Sequence, residues 1–177
     1  MRATLPVLVT ETEFLQLPET LDKVELVDGE VIVAPAPSWR HQRQAKTLLV
    51  ALETWARAVE GFTVGHAPCD IRFGPNRILQ PDLFVMAGTI PDDQEGPLDR
   101  VPLLCVEVLS RDAVYDRITK RALYAEAGVP EYWLVHWNGV VERRFGERLE
   151  GQQMLNGALA SPLLPGFSFD LEALAPV

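Results

Sequence analysis

Apolar positions change their period along the chain, and each change marks an element. Thr10 and Glu13 stand in capping-box spacing ahead of a short helix predicted over 11–17, which Pro18 ends. Positions 23–27 alternate up to Asp28-Gly29, and 30–34 return with the same spacing, so the two stretches predict a β-hairpin. Ser38 caps a long helix over 39–60, in which Ala45, Leu48, Leu49, Leu52, Trp55, Ala56 and Val59 recur every three or four residues to form one apolar face. Gly61 follows as its stop. Segments 62–66 and 69–73 read as strand pieces broken by Pro68, and 74–77 as a turn. The next strand covers 78–86 with Pro81-Asp82 inside it, which implies an edge, a bulge or an interrupted ladder. An acidic loop over 87–100 leads to 101–109, apolar at nearly every position. Such a run predicts a strand covered on both faces, central and parallel in its sheet. Asp112 caps a helix over 113–127, Gly128 closes it, and 131–136 and 140–145 form a second hairpin around Asn138-Gly139. The tail from 146 carries weak strands. The order of elements predicts an α/β (α+β) fold with a mixed central sheet flanked by helices.

One residue breaks the apolar run: Glu107. A carboxylate in such a strand needs a cation, a proton or a cleft, because burying an unpaired charge is expensive. With period two, Leu103, Cys105, Glu107 and Leu109 share a face, as do Gln80, Asp82 and Phe84 on the preceding strand. If the strands pair, Asp82 and Glu107 meet at one edge of the sheet. Two touching carboxylates repel, and a hard divalent cation between them relieves this. Lys120, about two turns into the following helix, approaches the same point. Two acids and a lysine around a metal make a phosphodiester-cleaving constellation.

The segments QPDLFV (80–85), LLCVEVLS (103–110) and DRITKRALYAEAGVPEYWLV (116–135) carry this constellation, and they resemble the PD-(D/E)XK nuclease superfamily. Together with VELVDGEVIVAPAPSWRHQ (24–42) and SPLLPGFSFDLEAL (161–174), they resemble more closely the Uma-type restriction endonuclease family of bacterial proteins, over roughly residues 10–174. The resemblance implies a restriction-endonuclease-like core and Mg²⁺-dependent hydrolysis of a phosphodiester bond, with Mn²⁺ as a substitute. Asp82 and Glu107 are then metal ligands, the Val108 backbone carbonyl a third, and Lys120 an aid to the attacking water. Leu109 stands where the superfamily's lysine is usual, and the lysine is displaced to the helix at Lys120. Glu25, His41 and Gln80 are implied to line the site.

Composition sets limits on this picture. The 177 residues, 47% hydrophobic and 23% charged, suit one globular domain over 1–177. No apolar stretch is long enough for a membrane span and no leader pattern is visible, so the expected location is cytoplasmic. Cys69 and Cys105 lie in apolar segments as reduced core thiols. The net charge of −9 argues against a general nucleic-acid coat and leaves open an enzyme that touches nucleic acid briefly through a local basic patch and a metal. Arg40 and Arg43, with Lys46, and Arg117 and Arg121 beside Lys120, read either as phosphate contacts or as solvated faces. Asp82 also reads as a strand-edge acid paired with Arg72 or Arg77, and Lys120 as the i+4 partner of Asp116. DNA is the expected partner, and duplex cleavage needs two sites, hence an expected homodimer. A nuclease of RNA or single strands, or a fold retained as a binding module, are the rival readings.

Overall fold

The computed structural model describes residues 8–18, 20, 22–110 and 114–176. Helix α1 (Glu11–Phe14) is a single turn, with the Thr10–Glu13 capping box closed in both directions. It is shorter than the apolar pattern predicts. The first hairpin forms as expected: β1 (Val24–Val27) pairs antiparallel with β2 (Glu30–Val33), and Asp28 and Gly29 turn the chain at φ 50° and 92°. Ser38 accepts the His41 N–H and starts α2 (Trp39–Ala58), whose inner face buries Gln44, Leu48, Leu52 and Trp55.

Next come β3 (Phe62–His66), β4 (Ile71–Gly74), β5 (Arg77–Leu79) and β6 (Leu83–Ala87). The single strand expected over 78–86 is therefore two strands, and they belong to different sheets. Pro81 has no N–H for a ladder, so pairing stops there. The Gln80 N–H is taken by the Glu25 side chain instead of a strand. One sheet has the order β2-β1-β5-β4. The other has six strands, β10-β9-β8-β7-β6-β3, with β7 (Leu104–Val108), β8 (Glu131–Val135), β9 (Val141–Phe145) and β10 (Gly151–Leu155). β7 is central, parallel to β8 and antiparallel to β6. It is trimmed relative to the apolar run, whose Pro102 cannot donate to a ladder.

Alternation along β7 divides the core. Leu104, Val106 and Val108 face α2 and the C-terminal tail, where Trp55, Trp133 and Phe167 pack. Cys105 faces the opposite layer with Phe84, Leu123, Tyr124 and Tyr132. That layer is built on α3 (Arg121–Ala127), which Gly128 closes in the left-handed region at φ 86°. The expected Asp112 cap lies outside the described residues. Ahead of α3, Tyr115–Lys120 form a π-helical turn. The tail adds β11 (Ala158–Leu159), β12 (Phe169–Asp170) and a 3₁₀ turn, Leu171–Leu174. On β3, Gly65 pairs with Phe84, whose ring lies over it; a Cβ there would overlap the ring, with Cε1 and Cε2 at 2.6 Å. Among the described residues no helix is long and apolar enough to cross a membrane.

Candidate active site

The β6–β7 register pairs Leu83 with Val106, so Asp82, one residue before β6, comes opposite Glu107. Both side chains are buried, and each divides its two oxygens between two tasks. Asp82 Oδ2 accepts the Val108 N–H at 2.8 Å and lies 2.9 Å from His41 Nε2, on the first turn of α2. Glu107 Oε1 accepts Lys120 Nζ at 2.7 Å and Tyr124 Oη at 2.8 Å. These contacts fasten one oxygen of each acid to the scaffold. The other two oxygens meet at one point, where Lys23 Nζ donates to Asp82 Oδ1 at 2.8 Å and to Glu107 Oε2 at 3.2 Å.

Behind this pair lies a second, fully buried one. Lys120 Nζ is 2.9 Å from Glu25 Oε1, which also accepts the Gln80 N–H at 2.8 Å. Tyr115 Oη donates to Glu25 Oε2 at 3.2 Å. The π-helical turn makes this possible. In α geometry, residues five apart lie about 140° apart around the axis. An i→i+5 turn brings them onto one face, so Tyr115 and Lys120 both reach Glu25. The Lys120 ammonium consequently stands 5.6 Å over the Tyr115 ring.

Four carboxylates (Glu25, Asp82, Glu107, Asp116) face two ammonium groups (Lys23, Lys120) and the imidazole of His41. With neutral His41 and all four acids ionised the cluster carries an excess of two negative charges, and burial and charge shift its groups in different directions. Burial pushes the Glu107 carboxyl up to about 7, against the pull of Lys120 and Lys23. Burial also raises Asp116. At Asp82 burial acts the same way, but Lys23 and His41 outweigh it and hold the carboxyl far below the usual range. The two acids share Lys23 yet move in opposite directions, because Asp82 has His41 beside it and Glu107 lies deeper. Burial pulls the His41 imidazolium down, and the hydrogen bond and charge of Asp82 more than reverse this. Lys120 is penalised by burial and rescued by Glu107 and Glu25, ending well above its ordinary value.

The structure thus brings Asp82, Glu107, Lys120, Glu25, His41 and the Gln80 backbone to one place. Arg72 pairs with Glu11 and Asp99, and Arg77 with Asp28 and Glu126, so neither partners Asp82. Lys120 is 4.0 Å from Asp116, farther than from either glutamate. Two of the suggested phosphate contacts are engaged by the protein itself. Arg43 donates to the carbonyls of Ala173, Leu174 and Ala175, and Arg117 to Glu142. Arg40 lies over the Trp137 ring at 5.7 Å, and Arg121 is half-buried on α3. Lys23, Tyr115 and Tyr124 also belong to the site, although the sequence does not mark them as site residues. A signal existed for two of them: Lys23 is two residues before Glu25 on an alternating strand, and Tyr124 is four after Lys120 on a helix.

Among the described residues no cluster of three or more His, Cys, Asp or Glu side chains forms a ready metal cage. The donor set nonetheless fits a hard cation. Two carboxylate oxygens converge on a position that a positive charge already fills, and their surroundings are rich in oxygen and short of positive charge. The Val108 N–H holds Asp82 from the same residue whose carbonyl is the suggested third donor.

The chain matches the Uma2 family model, described as "Putative restriction endonuclease", over residues 12–172. No curated protein matches it. Among solved structures it is similar to a putative nuclease belonging to DUF820 from Anabaena variabilis, with a TM-score of 0.77 and 19% sequence identity, covering 94% of this chain and 97% of that one. At that identity the likeness shows the fold.

Proposed function

We propose that the chain, which belongs to the Uma2 family, is a divalent-metal-dependent endonuclease that hydrolyses phosphodiester bonds in DNA. The observation that carries this reading is the convergence of Asp82 Oδ1 and Glu107 Oε2 on one cation position, each acid held from behind by its other oxygen. Asp82 and Glu107 would hold Mg²⁺ (or Mn²⁺), with the Val108 carbonyl as a third donor. The metal would supply Lewis-acid stabilisation of charge developing on the phosphate.

The remaining residues of the site act on the two acids. Tyr124 and Lys120 fix the Glu107 carboxylate plane, so that Oε2 points outward without a search through rotamers. His41 and the Val108 N–H do the same for Asp82. The sequence points to Lys120 as an aid to the attacking water. We assign it a positioning role instead, because its ammonium is buried and held by Glu25 and Glu107. Glu25 neutralises Lys120 and fastens the β1–β2 hairpin to Gln80. Duplex cleavage would need two copies of this site, and a homodimer supplies them.

The test is nicking of supercoiled plasmid in Mg²⁺, in Mn²⁺ and in chelator, by the native protein and by Glu107→Gln. The expected result is metal-dependent nicking that Glu107→Gln abolishes. Equal cleavage by both would place the chemistry elsewhere. Silence of both on plasmid, single-stranded DNA and RNA would leave the fold as a binding module.

A further inference from the structure

The site contains two lysines, and they are not equivalent. Lys120 is sealed in, with a side chain 2% exposed, and its ammonium is held by two glutamates from behind the acid pair. Lys23 comes from the opposite side, at the open end, with its side chain 20% exposed. Its backbone is anchored, since the Ala34 N–H donates to the Lys23 carbonyl at 2.9 Å. Four methylenes separate that anchor from the ammonium, which leaves the head group free to move while the hairpin stays put. The ammonium contacts the two carboxylate oxygens that no other side chain or backbone group among the described residues is seen to engage.

We propose that Lys23 is the lysine of this site that meets the substrate phosphate, and that it does so by leaving the Asp82–Glu107 pair when a metal takes its place there. The proposal rests on the metal-dependent reading above. A divalent cation and an ammonium cannot share the two oxygens, because they would repel at contact distance. Once expelled, Lys23 is a mobile positive charge on a short tether at the mouth of the site. Lysine binds phosphate as such a point charge, without the fixed geometry of arginine. It fills the role left open by Leu109 and by the burial of Lys120. It also gives the resting protein a counter-ion, so that two buried acids are never left facing each other unpaired.

The exchange has a measurable cost in metal affinity. If Lys23 occupies the acid pair nine-tenths of the time, the apparent affinity for metal falls about tenfold. The experiment compares native protein, Lys23→Met, Lys23→Arg and Glu107→Gln. Calorimetric titration with Mg²⁺ reads metal binding, and fluorescence anisotropy of a short labelled duplex in Ca²⁺, over a range of salt, reads phosphate contacts. Lys23→Met is expected to bind Mg²⁺ about tenfold more tightly than native protein. It is also expected to lose about one unit from the slope of log affinity for duplex against log salt. Lys23→Arg, which keeps the charge, should restore the salt slope. Because Lys23→Met leaves the acids without a counter-ion, melting temperatures are taken with and without Mg²⁺, and the variant should gain more from Mg²⁺ than native protein does. Equal or weaker Mg²⁺ binding by Lys23→Met, or an unchanged salt slope, would overturn the proposal. If native protein shows no Mg²⁺ binding that depends on Glu107, the metal reading falls with it. If that binding exists and only the Lys23 effects are missing, the Lys23 proposal alone is lost.

Discussion

Replacing Lys120 by Met isolates the energetics of the site from its chemistry. The lysine is almost wholly buried, and its ammonium lies 2.9 Å from Glu25 and 2.7 Å from Glu107, both buried as well. Methionine keeps most of the volume, so the cavity contribution is small, and what remains is two carboxylates without their shared cation. Breaking a buried pair from one side costs about 3–5 kcal/mol. That is a large part of the total stability of a domain, about 5–15 kcal/mol. At about 2–4 °C per kcal/mol, a melting point about 6–20 °C lower follows. The loss depends on pH, and its sign is fixed. In the variant the orphaned acids take up protons more readily when folded than when unfolded, so their folded pKa values lie above the ordinary carboxylate range. Folding then binds protons, and stability falls as pH rises through the interval between the unfolded and folded values. Urea denaturation at pH 5.5 and pH 8 should show a gap between native protein and variant that widens at the higher pH. Adding Glu107→Gln to Lys120→Met removes one orphaned charge and should recover part of the loss. A gap below about 1 kcal/mol, the range of exposed pairs, a gap equal at both pH values, or a double variant no more stable than the single one would refute this account.

Other outcomes follow from the same geometry. Glu107 is raised to about 7 by burial, and under the proposed metal binding it would have to lose its proton first, so Mg²⁺ affinity should climb between pH 6 and 8 and then level off; calorimetry in buffers of different ionisation heat checks this, and a flat profile contradicts it. His41 has a folded pKa above its ordinary value of 6.5, so its bond to Asp82 stabilises fully below that value and is lost as pH rises through the folded pKa; an NMR titration of its ring should give a midpoint above 6.5, and the stability gap to His41→Ala should shrink toward pH 8. Gly65→Ala puts a Cβ into the Phe84 ring and should cost about 1–3 kcal/mol, read by thermal denaturation, with Phe84→Leu in the same chain recovering part of it; an additive loss would contradict the overlap.

Much of this arrangement is legible in the sequence because strands keep a strict period. Asp82 and Glu107 can be brought face to face by counting, once their strands are taken to pair, and the register agrees. Glu107 also announces itself as the one charge in an apolar run. Other features resist such reading. Lys23 sits at a strand entrance, where a charged residue is ordinarily solvated, and only the third dimension shows that Asp82 and Glu107 lie within its reach. Arg43 looks like a surface cation on a helix, but its acceptors are carbonyls some 130 residues away in sequence. The split at Pro81 is visible as a break, whereas the change of sheet that follows depends on Glu25 capturing the Gln80 N–H. The π-helical turn leaves no local trace, since composition does not distinguish i→i+5 from i→i+4 bonding; it is held by what Tyr115 and Lys120 find on the hairpin.

The crossing at Pro81 has a consequence for how the molecule comes into being. Asp82 belongs to the seam between the two sheets, and its partners arrive from the hairpin, from the start of α2 and from β7. Lys120 and Tyr124 come later still, from the turn and helix that carry the chain across to β8. These meetings close loops of 13 to 59 residues, and such closure is paid in entropy before any ion pair returns the cost. The pair of oriented acids therefore needs the hairpin, the start of α2, β7 and α3 together. Under the proposed function, a growing polypeptide emerging beside nucleic acid would stay chemically silent until the last of these loops had closed, and cleaving power would arrive with the finished fold.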